Sequence, residues 1–207
     1  MKFDNIESSN KYLENILNII RMGIYQNLQK LKQTQREGLK TQQLVDSFNI
    51  IGTTSRFCEE WIGVQKEHER KDSTCQEDIY FYLNDDKHTR IFYAEAKRLP
   101  KYKSSSDEEY ITGRSSNENP SGGIQRYKLG IHGSYDLKHN GIIAYVENKS
   151  IDDWISLINN KLSKEYPNDS LLVQGNNINE YTSNHQFINK EGYFIMNHFW
   201  INLTGKQ

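Results

Sequence analysis

Two neighbouring segments rich in aromatic and β-branched residues constrain the fold of this chain more than any other feature. They span residues 77–83 and 90–99, and an Asn- and Asp-rich run separates them. This pattern predicts a β-hairpin. Charged residues lie within both segments, Asp78 in the first and Glu95 and Lys97 in the second. Buried charge is costly unless it is paired or binds a metal, so the hairpin predicts a functional site.

The spacing of Glu95 and Lys97 indicates what such a site could do. Residues two apart share one face of a strand, so both side chains should project into the same space, with Asp78 on the adjoining strand. Mg²⁺ or Mn²⁺ prefers hard oxygen ligands, and Asp78, Glu95 and the backbone carbonyl of Ala96 would suffice. An acid followed by Glu-x-Lys on adjoining strands is the arrangement of a metal-dependent phosphodiesterase site, in which water attacks the phosphorus. Lys97 could orient that water or stabilise the charge that develops on the phosphodiester. A cross-strand ion pair with Lys97 at a strand end is the alternative.

The first third of the chain has the periodicity of helices. Apolar residues between positions 13 and 31 recur at three- and four-residue steps, which predicts one long amphipathic helix ending near Gly38. A second helix is expected over residues 41–52, up to an Ile-Ile-Gly break, and a third over residues 54–64. Residues 66–76 are highly polar and predict a loop or a short edge strand.

The remainder of the chain alternates between helical and extended patterns. The sequence predicts a polar binding loop at 100–123, a helix at 123–130, a buried strand at 141–146, a helix at 151–162, a strand or loop at 171–173 and a closing strand at 192–203. This order predicts an α/β sandwich in which helices flank a mixed central sheet. We expect a helical N-terminal region over residues 1–53, packed on a core formed by residues 54–207.

Composition limits the partners and the location. The 207 residues carry a formal net charge of −1, so the molecule as a whole has no electrostatic preference for nucleic acid. Basic residues nevertheless cluster after the Glu-x-Lys sequence, which suits phosphate binding, although a solvated loop of lysines gives the same pattern. The cluster comprises Lys97, Arg98, Lys101, Lys103, Arg126 and Lys128. No signal-peptide pattern and no apolar run of membrane-spanning length occur, so we expect a cytoplasmic protein without membrane contact.

Cysteines and histidines do not predict a zinc site. The two cysteines, Cys58 and Cys75, lie too far apart for a zinc cluster and predict free thiols. The six histidines show no His-x-x-x-His spacing. For His198, in the closing strand, a hydrogen-bonded structural histidine is favoured over a catalytic one.

The hairpin residues resemble a known group of enzymes. The sequences Glu77-Asp78-Ile79-Tyr80 and 92–99, with Glu95, Ala96 and Lys97, look like the core of the PD-(D/E)xK, restriction-endonuclease-like nuclease superfamily. The resemblance covers about residues 60–146 and implies a restriction-endonuclease-like core. It implies that Asp78 and Glu95 are metal ligands and that Lys97 is the catalytic lysine. The chain departs from the pattern in having Glu77 where proline often precedes the aspartate.

The same resemblance implies a second ring of site residues. The superfamily often adds an acid from the helix before the first strand, for which Glu60 is the first candidate, with Glu67 and Glu59 after it. A Gln or Arg from the helix after the Glu-x-Lys strand also often joins the site, which indicates Gln125 first and Arg126 second. The sequence from Glu95 to Val146, taken as a whole, resembles bacterial nucleases of the defence or mobile-element type.

We therefore expect a Mg²⁺- or Mn²⁺-dependent endonuclease that acts on DNA, of an anti-phage defence or restriction type. Two alternatives stay open. The first is a non-catalytic module that keeps the fold and binds nucleic acid or a partner protein. The second is a ribonuclease effector that uses the same site on RNA. A homodimer or an activating partner subunit is a further expectation, since many nucleases of this class act as dimers.

Overall fold

The computed structural model describes residues 4–54, 61–69, 76–100, 109–115 and 117–205. Within these ranges, side chains are described except those of residues 4–11, 67–69 and 76–78. The backbone of Asp78 is therefore described and its side chain is not.

Four helices and seven strands are described. The helices are α1 (Asp4–Gln33), α2 (Glu37–Thr54), α3 (Gly123–Lys128) and α4 (Ile151–Glu165). The strands are β1 (Ile62–Glu69), β2 (Gln76–Leu83), β3 (Arg90–Leu99), β4 (His139–Val146), β5 (Val173–Gln174), β6 (Glu180–Gln186) and β7 (Tyr193–Asn202). They form one sheet in the order β1-β2-β3-β4-β7-β6-β5. The pairs β3–β4 and β4–β7 are parallel and the other four pairs are antiparallel.

Helices cover both faces of this sheet. Alternate residues of β4 show the division, because Ile143 and Tyr145 pack with α1 and α2, whereas Ile142 and Ala144 pack with α3 and α4. Both faces are therefore buried, as expected for parallel central strands, whose sequences read as apolar runs. The expected α/β architecture, with a mixed sheet flanked by helices and a helical N-terminal region, is confirmed.

The expected hairpin is formed by β2 and β3. Tyr80 pairs with Tyr93 and Ile79 with Ala94 across the two strands. In the turn, the Asp85 carboxylate accepts hydrogen bonds from the backbone N–H of Thr89 at 2.8 Å and from its hydroxyl at 2.6 Å. An aspartate that satisfies nearby backbone donors in this way is a typical turn former.

The N-terminal helices differ from the sequence prediction in their ends. Helix α1 ends at Gln33, and α2 continues through Gly52, where a break was expected. A Cβ atom at Gly52 would lie 2.4 Å from the carbonyl oxygen of Ile62, so glycine lets α2 approach β1 closely. The predicted third helix is wrong over residues 62–64, which pair with β2 as part of β1.

A buried ion pair joins α2 to the sheet. The Lys40 side chain is fully buried and pairs with Glu147, just beyond the end of β4. Arg98 of β3 pairs with the same carboxylate. Burial opposes ionisation of Glu147, but Arg98 and Lys40 outweigh it and hold the pKa of that carboxyl below its usual value. No helix in the described ranges has the combination of length and apolar character that crossing a membrane would require.

Candidate active site

Glu95 lies at the centre of a buried charged cluster on the α3 side of the sheet. Glu95 is only 1% exposed to solvent. Lys97 Nζ lies 2.5 Å from Glu95 Oε1, and Arg126 Nη1 donates to the same oxygen at 2.8 Å. Because Glu95 and Lys97 are two residues apart on β3, they share a face, as the spacing predicted. We call Glu95, Lys97, Arg126 and the neighbouring His132 the Glu95 centre.

The preceding loop positions Arg126 by holding the start of α3. The backbone N–H groups of Gly123, Ile124 and Gln125 donate to the carbonyls of residues 109–111 at 2.8, 3.1 and 2.9 Å. These are donors that a helix leaves without internal partners. A Cβ atom at Gly122 would lie 2.4 Å from the Ile111 carbonyl oxygen, so glycine allows this close contact.

The charges around Glu95 keep it ionised. Burial by itself would raise the pKa of this carboxyl, but Lys97, His132 and Arg126 outweigh burial and hold the pKa well below its usual value. Both Lys97 and Arg126 contact oxygen Oε1 of Glu95, whereas Oε2 has no hydrogen-bond partner within the described ranges. A buried, ionised carboxylate oxygen without a hydrogen bond fits the hard-oxygen ligand that Mg²⁺ or Mn²⁺ requires.

The other expected metal ligands are placed only in part. Asp78 lies on β2, and the pairing of Ile79 with Ala94 makes Asp78 the β2 residue next in line with Glu95. Its side chain lies outside the described residues. Ala96 lies within β3, where it pairs with Ile143 of β4. Among the residues whose side chains are described, no three His, Cys, Asp or Glu come together as a metal-binding group.

The candidate acids from the preceding segment are not placed. Glu60 and Glu59 lie outside the described residues. Glu67 lies in β1, but its side chain is outside the description. Metal binding by any of these three stays a prediction.

Of the two candidates on α3, it is Arg126 that reaches Glu95. The Gln125 side-chain oxygen Oε1 accepts from the backbone N–H of Gly113 at 3.2 Å and of Gly122 at 3.4 Å. Gln125 therefore joins the preceding loop to the start of α3, whereas the next residue, Arg126, donates to the carboxylate. A catalytic role of Gln125 stays a prediction.

A second polar constellation, which the sequence did not indicate, is buried between α3, β6 and β7. Asp169 accepts a hydrogen bond from Lys128 Nζ at 2.6 Å, and His185 Nδ1 lies 2.8 Å from the same Asp169 oxygen. Lys128 also donates to the Gln186 carbonyl at 2.8 Å. Burial would raise the pKa of Asp169, but His185, Lys128 and the Gln186 N–H lower it below its usual value.

The hydrogen bonds continue across the sheet from His185. Ser183 Oγ lies 2.7 Å from Nε2 of both His185 and His198. The Tyr110 hydroxyl lies 2.7 Å from His198 Nδ1 and accepts from Trp200 Nε1 at 3.1 Å. We call this series, from Trp200 to Asp169, the histidine chain.

The proton positions in the histidine chain follow from its two ends. Ionised Asp169 can only accept, so His185 donates from Nδ1 and accepts at Nε2 from the Ser183 hydroxyl. Ser183 then accepts from His198 Nε2, which leaves His198 Nδ1 to accept from Tyr110. From the other end, Trp200 can only donate to the Tyr110 oxygen, and His198 Nδ1 is then the partner for the Tyr110 proton. Burial lowers the pKa of both histidines and favours their neutral forms, and for neutral histidines both ends give the same tautomers.

Asp169, His185 and Ser183 have the hydrogen-bond order of a Ser-His-Asp triad. Ser183 is only 2% exposed, however, and its oxygen already accepts from His198. A substrate carbonyl cannot reach an oxygen enclosed in this way. We therefore interpret the histidine chain as an internal support, which ties Lys128 at the end of α3 to Tyr110 in the loop before it. The expectation that His198 is a hydrogen-bonded strand histidine is confirmed.

Buried neutral histidines predict that the protein loses stability in mild acid. Burial lowers the pKa of His198 well below its usual value and lowers that of His185, and burial together with Lys138 lowers that of His139 to about 4. In the unfolded chain these groups take up protons near pH ~6.5. Below that pH the unfolded state binds more protons than the folded state. The free energy of unfolding should therefore fall as the pH is lowered, by up to ~1.4 kcal/mol per pH unit for each group.

Urea denaturation at several pH values tests this prediction. We expect the midpoint to fall steadily from about pH 7 to about pH 5, a window above the titration of ordinary carboxylates. The slope should be smaller in His198→Gln, which lacks one of the titrating groups. A midpoint that is constant across this window would contradict the neutral assignment.

Comparisons with protein-family models, with curated proteins and with solved structures find no match for this chain. A function for the Glu95 centre therefore depends on the chemistry of its own residues. That chemistry combines a buried ionised carboxylate with a lysine that is 14% exposed and an arginine that is 23% exposed. Cations that are partly open to solvent beside a buried carboxylate can reach an anionic substrate.

Proposed function

We propose that this protein is a metal-dependent nuclease of the PD-(D/E)xK, restriction-endonuclease-like type, which hydrolyses phosphodiester bonds in DNA. The observation that carries the proposal is the Glu95 centre itself. A lysine two residues along β3 lies 2.5 Å from Glu95 Oε1, while Oε2 has no hydrogen-bond partner in the described part of the chain. This arrangement leaves one carboxylate oxygen for a metal and one for the lysine.

The residues of the centre have complementary roles in this proposal. Glu95 would hold the metal through Oε2, with Asp78 and the Ala96 carbonyl as the further expected ligands. A bound Mg²⁺ or Mn²⁺ supplies Lewis-acid polarisation of a phosphoryl oxygen and of the attacking water. Lys97, fixed by Glu95, orients that water and stabilises the additional negative charge on the phosphorus oxygens. Arg126 presents a second cation to the same phosphate.

The backbone geometry supports the two-carboxylate expectation. In an antiparallel pair, residues that oppose each other share one face of the sheet. Ile79 pairs with Ala94, one step from Asp78 and Glu95. The mixed sheet, with a hairpin followed by parallel strands, also suits a restriction-endonuclease-like core. The preference for DNA and a homodimer or activating partner stay predictions.

Plasmid cleavage tests the proposed function. Purified protein incubated with supercoiled plasmid and Mn²⁺ or Mg²⁺ should convert it to nicked and linear forms, because the metal completes the centre. EDTA should abolish the conversion, and added metal should restore it. Gel electrophoresis follows the products, and single-stranded RNA incubated in parallel shows whether RNA is the better substrate. Cleavage that persists in EDTA would contradict the proposal.

One observation favours a non-catalytic module as the second candidate. Two cations already neutralise Glu95 Oε1, as in a structural ion-pair cluster, and the whole chain carries a net charge of only −1. A binding module of this fold should shift DNA on a native gel, in a manner that weakens as salt increases. A salt-dependent shift without nicking under any metal would select this candidate.

A further inference from the structure

The turn that follows α3 places His132 beside Glu95. The backbone N–H of Ile131 donates to the Arg126 carbonyl at 2.9 Å, and that of His132 donates to the same oxygen at 3.3 Å. The His132 side chain is fully buried, and its ring meets the Tyr127 ring edge-on at 5.8 Å between centroids. The same short segment therefore carries both Arg126 and His132 to Glu95.

The two ring nitrogens of His132 are buried without a hydrogen-bond partner in the described part of the chain. Nδ1 lies 3.4 Å from Glu95 Oε2, and neither ring nitrogen nor Oε2 makes a hydrogen bond within the described ranges. Buried polar groups without hydrogen bonds are costly, so such a set indicates a partner or a function. An N–H···O hydrogen bond is normally about 2.9–3.0 Å long, so a small approach would complete one here. Catalytic hydrogen bonds are often long without substrate and shorten in the complex.

The two oxygens of Glu95 are approached from different sides. Oε1 faces the cations Lys97 and Arg126, whereas His132 Nδ1 lies 3.4 Å from Oε2. A carboxylate oxygen can accept more than one interaction, so Oε2 can bind an N–H donor and a metal together.

We propose that His132 is a positioning residue that donates its Nδ1–H to Glu95 Oε2 and orients the carboxylate toward the metal. The inference rests on the proposed function, because it requires that Glu95 binds the metal. Hydrogen-bond donors to metal-binding side chains fix ligand orientation, and their loss typically lowers metal affinity by about 10–100-fold. His132 acts through Glu95 and needs no contact with substrate.

Mn²⁺ titration of the full-length chain tests this role without relying on catalysis. Isothermal calorimetry measures the affinity of the wild-type protein, His132→Leu, His132→Asn and Glu95→Gln, and thermal unfolding verifies that each variant is folded. Leucine fills space without a donor, so His132→Leu should bind Mn²⁺ about 10–100-fold more weakly. Asparagine carries an N–H at the same number of bonds from Cα as Nδ1, so His132→Asn should recover most of the affinity.

The outcomes separate the two proposals. If Glu95→Gln loses Mn²⁺ binding but His132→Leu binds as the wild type does, the role of His132 is overturned and the proposed function stands. Equal losses in His132→Leu and His132→Asn also overturn the donor role. If the wild type does not bind Mn²⁺, or Glu95→Gln binds it unchanged, both proposals fail. Should His132→Leu not fold, His132→Phe keeps a ring without a donor and takes its place.

Discussion

Replacing Lys97 with alanine is expected to reduce plasmid cleavage by at least about 100-fold, while Mn²⁺ binding persists. The lysine ammonium is the group placed to orient the attacking water and to stabilise charge on the phosphate. The metal ligand Glu95 is retained in this variant, so the affinity for Mn²⁺ should change much less than the rate. Cleavage under single-turnover conditions and calorimetric Mn²⁺ titration measure the two quantities separately.

The structure also indicates that this variant will fold. Arg126 donates to the same Glu95 oxygen at 2.8 Å, so the buried carboxylate keeps one cationic partner after Lys97 is removed. Lys97→Met, which retains most of the side-chain volume, provides a second version of the same test. Lys87→Ala, in the exposed turn of the hairpin, is the matched control and should cleave normally. Undiminished cleavage in a folded Lys97→Ala protein would remove Lys97 from the mechanism.

Replacing Asp169 with alanine is expected to lower the free energy of unfolding by about 3–5 kcal/mol. The side chains of Lys128 and Asp169 are only 4% and 2% exposed, so loss of the carboxylate leaves a buried ammonium without its counter-ion. The Gln186 carbonyl and the Tyr166 ring, 4.4 Å from Nζ, remain as weaker partners. His185 also loses the acceptor that fixes its tautomer.

Urea denaturation measures this loss against two comparisons. Asp136→Ala removes an exposed aspartate and should change stability by less than about 0.5 kcal/mol. The double variant Asp169→Ala with Lys128→Met removes both charges, so it should lose less than the sum of the two single changes. A loss for Asp169→Ala no larger than that for Asp136→Ala would show that the histidine chain does not support the fold.

Features that depend on local pattern could be predicted from the sequence. The β2–β3 hairpin follows from two aromatic segments and a turn, and the shared face of Glu95 and Lys97 follows from the two-residue period of a strand. Helix α4 has a strong apolar stripe, and Ser150 caps it by accepting from the Asp153 N–H at 3.1 Å. In each case the information lies within about 20 residues of chain.

Strand β6 was not predicted, because its inward positions are polar. Tyr181, Ser183 and His185 alternate with exposed residues, but two of the three are not apolar. Asp169 and His198 satisfy these groups from other parts of the chain. The alternation of Tyr181, Ser183 and His185 with exposed residues is the feature that could have indicated this strand. A search for alternating apolar residues does not find it, because Ser183 and His185 are polar.

The third predicted helix failed for a related reason. Ile62 and Val64 have apolar neighbours at spacings that a helix also allows, but both are buried in β1 against the α2 side of the sheet. Pairing with β2 satisfies the backbone of these residues, and α2 can lie close to Ile62 because position 52 is glycine. Long-range contacts therefore outweigh local propensity here.

The sequence by itself determined the hairpin and the shared strand face of Glu95 and Lys97, because the two-residue period of a strand and the proximity of the segments along the chain decide both. Only the tertiary structure decided which residues complete the centre. Gln125 and Arg126 are adjacent in sequence, and the way the loop before α3 holds the helix directs Arg126, not Gln125, to Glu95. His132 reaches Glu95 from 37 positions along the chain, because the turn after α3 brings its ring beside that carboxylate. Such contacts depend on packing between elements, which no local pattern encodes.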